Sequence, residues 1–199
     1  MWRGNRVQDR WGRSVAGLAG LLLLAACVTN GAGPRSAALL DGAIVAAAPA
    51  GYCLAPGVGR RSDDSAVVLM GRCTATSGAD PAVLTLSVGP AGSAGAMAAG
   101  GAGLAAYFTS AEGRAALSRR GRAGDISVLS AVGEGDAFLL HVRDAAVGDY
   151  WRAVTGIRGR LVTVSASGPE GQALPEGKGR ALVEAAVGAL RRANQGPAG

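Results

Sequence analysis

The chain has 199 residues, 49% of them hydrophobic and 4% aromatic, with 33 glycines, so its length suits one domain with a small core and long mobile segments. The formal charge of +6 falls to +3 (16 basic, 13 acidic) once residues 1–26 are set aside. A mature chain that mildly basic gives no argument for a nucleic-acid partner.

Residues 1–26 earn that separate treatment. Arg3, Arg6, Arg10 and Arg13 precede the short apolar run that begins at Val15, and small residues close it at Ala25 and Ala26. Basic residues, a short apolar run and a small-residue cleavage point are the marks of a secretory signal peptide. A spanning helix needs about 20 apolar residues, and Val15 to Ala26 is much shorter. Leu24-Ala25-Ala26-Cys27 resembles the lipobox of bacterial lipoproteins. That resemblance implies cleavage after residue 26 and covalent lipid on Cys27; with no HExxH, ferredoxin, haem or nucleotide-loop motif in the chain, no other cofactor is expected. Lipoproteins carry two or three acyl chains, and several chains hold stably where one does not. Val28 stands where an aspartate would retain the protein on the inner membrane, so the resemblance implies the outer membrane, facing the periplasm.

With Cys27 assigned to lipid, Cys53 and Cys73 remain. An even pair in an oxidising compartment is most simply a disulfide. Their spacing is neither CxxC nor a zinc pattern.

Residues 27–41 read as a lipidated tether, 42–194 as a single α+β domain and 195–199 as a disordered tail. Gly42–Ala48 reads as a strand or short helix, and Gly51–Leu54 as a short β segment closed by a turn at Pro56-Gly57. Gly57–Ser62 lacks the lysine and third glycine of nucleotide-binding loops, so it reads as a surface loop. Asp63-Asp64 has no EF-hand spacing after it. No metal site is expected. Ala66–Arg72 and the alternating Ala82–Val88 predict an antiparallel hairpin.

Gly89–Ala106 reads as a loop entering a weak helix, because each glycine lowers helix propensity by about 1 kcal/mol. Thr109 or Ser110 suits an N-cap for a helix through Arg119. Arg119, Arg120 and Arg122 suit its carboxyl end, and the same cations could hold an anionic headgroup or glycan. Residues 125–131, 137–143, 150–156 and 160–166 predict a β meander, and Arg180–Asn194 a C-terminal amphipathic helix across the sheet.

These elements predict an α+β fold, an antiparallel sheet covered by helices. Their order, hairpin then helices, meander and final helix, resembles the PsbP/Mog1-like sandwich of small secreted and lipid-anchored proteins. Fold likeness does not transmit function.

The chemistry-bearing residues are few. His141 is the only histidine and so the only ready general base near neutral pH. No G-x-S-x-G occurs, which leaves a serine hydrolase as a minor alternative. His141, Arg143, Tyr150 and Trp151 form a candidate binding face. The leading expectation is a non-enzymatic envelope lipoprotein, membrane-bound through lipid, that contacts an envelope protein or polymer. A module binding a small molecule or anion is the alternative.

Overall fold

The computed structural model describes residues 33–175 and 177–196, except for the side chains of residues 58–61 and 171. The expected signal peptide, the expected lipidation site Cys27, the start of the expected tether and residues 197–199 lie outside the described residues.

The fold is α+β. A small hairpin, β1 (Ser36–Leu39) and β2 (Ile44–Ala47), precedes three strands, β3 (Tyr52–Arg61), β4 (Ala66–Arg72) and β5 (Val83–Ala91). A 3-10 segment (Ser93–Ala99), α1 (Gly100–Thr109) and α2 (Ala111–Leu117) follow. The meander β6 (Ile126–Glu134), β7 (Ala137–Asp144), β8 (Gly148–Ile157) and β9 (Arg160–Ser167) then leads to α3 (Lys178–Ala193). β3 to β9 form one seven-stranded sheet in the order β3-β4-β5-β9-β8-β7-β6, antiparallel throughout. The helical crossover therefore carries the chain from β5 to the far edge, and the meander returns until β9 pairs with β5.

Each sheet face has its own core. On one face α3 and the β1-β2 hairpin cover Leu84, Leu86, Leu139, Val162 and Val164. On the other, α1 and α2 pack with Phe138, Leu140, Val142 and Val154. The double cover explains why Phe138, Leu139 and Leu140 are all buried in succession on β7. β4, β5 and β9 instead alternate buried with half-exposed positions, as strands covered on one face do.

Glycine-rich α1 is held by packing, as its composition requires. Phe108 stacks on Phe138 at 5.9 Å between centroids, and a Cβ on Gly101 would lie 3.7 Å from Gly133 Cα on β6. Ser110 caps α2, accepting from the Gly113 amide at 3.1 Å.

Several boundaries differ from the sequence reading: α2 ends at Leu117 rather than Arg119, β5 and β6 run on to Ala91 and Glu134, and three further stretches change character. β1 lies inside the stretch expected to be a tether, because its Ala and Leu residues pair with β2 and bury Leu39. Gly57–Ser62 is largely strand: β3 continues to Arg61 past a register shift between Leu54 and Gly59. In the expected disordered tail, the Gly196 carbonyl accepts from Arg158 Nη2 at 3.2 Å.

Cys53 and Cys73 are disulfide-bonded with Cα atoms 4.8 Å apart, clamping β3 to the end of β4. Closing a loop of about 20 residues contributes roughly 3 kcal/mol in the chain-entropy account. Cys53→Ala with Cys73→Ala is expected to lose about that much in urea denaturation, and adding reductant to the wild type to have the same effect.

Candidate functional site

The α3 face of the sheet leaves a cavity of about 490 Å³ at the ends of β7, β8 and β9. His141, Trp151 and Ala166 form its floor, Asp149 one side, and Leu174 and Pro175, in the segment before α3, another. His141 and Trp151 face each other across β7 and β8, and their rings stack 4.6 Å apart at 8°. Strand register sets these two planar side chains side by side.

The indole is fixed from the other element as well. A Cβ on Gly179, in the first turn of α3, would sit 2.3 Å from Trp151 Cδ1. Only glycine lets the helix come this close to the ring.

Arg143 and Asp149 are cross-strand partners either side of the β7-β8 turn. They form a bidentate pair, Nε to Oδ1 at 2.8 Å and Nη2 to Oδ2 at 3.0 Å. The Arg143 hydrogen bond, with a smaller contribution from its charge, holds the Asp149 carboxyl below the usual aspartate range, against the effect of burial. A carboxyl lowered on folding stabilises the fold above its unfolded pKa and loses that contribution as pH falls through the folded value. Arg143→Gln is therefore expected to move the Asp149 carboxyl titration upward, read by carbon-13 NMR. Arg143 is 61% exposed, so the accompanying stability change should be small and salt-sensitive.

Tyr150 also borders this cavity, but its side chain does not share the Trp151 face. Adjacent strand residues point to opposite sides, and the Tyr150 hydroxyl donates to the Leu117 carbonyl at 2.9 Å beneath α2. Burial pushes its phenol pKa up. The expected four-residue face is thus split by the sheet, with His141, Trp151 and the Arg143–Asp149 pair on one side. Asp149 is not among the residues that the sequence pattern assigns to this face. The tight turn between Asp144 and Gly148 was the available sign that residues 143 and 149 would meet.

Among the described residues no serine lines the cavity with His141; Ser165 and Ser167 on β9 open to the opposite side. Among the described residues no three His, Cys, Asp or Glu side chains are placed to hold a metal. Asp64 is engaged by Arg160 at 2.6 Å and by the Ala91 amide at 3.1 Å. Lys178, the only lysine, lies 3.5 Å from Asp80.

What the cavity offers is a stacked aromatic floor, aliphatic walls and one oriented carboxylate. Its volume falls within the ~300–1,000 Å³ usual for small-ligand sites. Compared with known protein families, with curated proteins and with solved structures, the chain matches none.

Proposed function

We propose that this protein is an envelope lipoprotein, held on the membrane by lipid on Cys27, whose domain binds a small, largely apolar molecule bearing a hydrogen-bond donor. The observation that carries the reading is the stacked His141–Trp151 floor of the cavity, with the Asp149 carboxylate at its side. The anchor rests on Leu24-Ala25-Ala26-Cys27. Binding is favoured over hydrolysis because, among the described residues, the groups that line the cavity with His141 include no serine nucleophile. The apolar part of the ligand lies on the ring floor, and its donor is directed to Asp149.

The test is mass spectrometry of the protein extracted from membranes. The reading expects a chain beginning at lipid-bearing Cys27, and a small molecule released on denaturation from the wild type but not from Trp151→Ala. A chain without lipid refutes the anchoring. An empty cavity in protein freshly taken from the envelope counts against the ligand.

One observation favours a protein partner as the second reading. β6 is a sheet edge, and Leu129 and Val132 on it are 43% and 40% exposed. An exposed apolar edge strand invites another strand to pair with it. Cross-linking in membranes, comparing wild type with Cys27→Ser, would capture such a partner only on the anchored form.

A further inference from the structure

A second groove, of about 340 Å³, opens on the face opposite the His141 cavity, between the end of α2 and the uncovered half of the sheet. Its floor is a ladder of half-buried hydroxyls. Thr85 and Ser87 on β5 stand beside Ser165 and Ser167 on β9, with Thr85 directly opposite Ser165. The next strand places Arg152 opposite Ser165, so one row runs Thr85, Ser165, Arg152.

Arg152 is half-buried. Its Nε donates to Ser165 Oγ at 2.8 Å, and its guanidinium lies 5.2 Å from the Tyr150 ring centroid. Both contacts fix the fork in place, and among the described residues no hydrogen-bond partner takes its terminal nitrogens. Among the described residues no carboxylate lies in ion-pair distance of Arg152 or of Arg119, whose side chain is exposed at the groove's rim. The neighbouring arginines differ: Arg120 and Arg122 both bind Asp125, at 2.9 and 3.1 Å. Asp144 also borders the groove, but its oxygens are taken by the Arg119 and Ala146 amides at 3.1 and 2.7 Å. Its role there is to hold the end of α2 against β7. A guanidinium fork whose terminal nitrogens face an open groove matches a carboxylate or phosphate.

We propose that this groove binds an anionic sugar, its acid group held by Arg152 and Arg119 and its ring hydroxyls by the ladder of Thr85, Ser87, Ser165 and Ser167. Hydroxyl side chains both donate and accept, which suits a polyol. The Arg152 fork supplies the charge selection. The site is separate from the His141 cavity and stands or falls independently of it.

The experiment is calorimetric titration of the full chain, purified as expressed, with glucuronate, glucose 6-phosphate and glucose. At least one of the two anions is expected to bind, about tenfold or more tighter than glucose, and to weaken with added salt. A preference for one anion identifies the acid group as carboxylate or phosphate. Arg152→Gln should weaken the anion about tenfold, while Trp151→Ala on the opposite face leaves it unchanged. If Arg152→Gln fails to fold, Arg119→Gln carries the test through its exposed side chain, with an expected loss of about threefold. Glucose binding as tightly as the anions, no anion binding, or anion binding indifferent to the arginines would overturn the proposal.

Discussion

Gly113→Ala is expected to destabilise the domain by about 3–5 kcal/mol, at the upper end of what a single methyl can do. A Cβ at this position would lie 2.0 Å from the Tyr107 carbonyl oxygen and 2.7 Å from Phe108 Cα. Both are backbone atoms of α1, so no rotamer change relieves the overlap. α1 and α2 meet at a sharp turn on Ser110, whose hydroxyl donates to Tyr107 O at 2.7 Å and accepts from the Gly113 amide at 3.1 Å. The turn brings the last residues of α1 directly over the first turn of α2, where only a hydrogen fits. Separating them would also pull Phe108 from Phe138 and Leu117 from its core. A melting temperature lower by roughly 10 °C, with faster amide exchange in α1 and α2 than in β4 and β5, is the expected readout.

Asn194→Ala should cost a similar amount for a different reason. Asn194 is buried just beyond α3, and its Oδ1 accepts from the Val45 amide at 2.9 Å. Its Nδ2 donates to the Val45 carbonyl at 2.8 Å and to the Leu190 carbonyl at 2.7 Å. One side chain thus satisfies both backbone groups of a β2 residue and ties the N-terminal hairpin to the C-terminal helix, 149 residues away in sequence. Alanine would leave those groups unpaired, at about 1–3 kcal/mol each, and add a small cavity. The expected loss is about 3–5 kcal/mol in urea denaturation. Accelerated exchange of the Val45 amide would locate the damage. An unaltered Val45 amide would show that this side chain does not hold the hairpin.

Local pattern made much of the fold readable. Ala66–Arg72 is a strand with the expected bounds, because Ala66, Val68 and Met70 face the core while Val67 and Leu69 do not. The Ser110 cap and the amphipathic pattern of α3 were legible for the same reason: each is set by neighbours within a turn or two. The pairing of β5 with β9 is a contact across about 80 residues, and periodicity carries no information on which strands adjoin. β1 escaped notice because four residues, SAAL, show too little alternation to stand out from a tether.

The site was half legible. The alternation of β7 puts Leu139, His141 and Arg143 on one face, and Leu139 packs in the α3-side core while His141 lines the cavity. Grouping Tyr150 with Trp151 joined two residues that a strand must direct to opposite faces. The groove over Thr85, Ser165 and Arg152 was signalled by the polar positions of three strands, yet only the sheet order brings them together.

A chain beginning at residue 28 contains one tryptophan, Trp151, and one histidine, His141, both on the cavity floor. The most direct measurement of ligand binding is therefore an NMR titration of these two rings with small-molecule extract of the native envelope. The account predicts that the His141 ring protons and the Trp151 Nε1–H shift together and saturably, and that the shifts vanish in Asp149→Asn with the fold intact. Rings that stay fixed throughout, or that shift identically in Asp149→Asn, would contradict it.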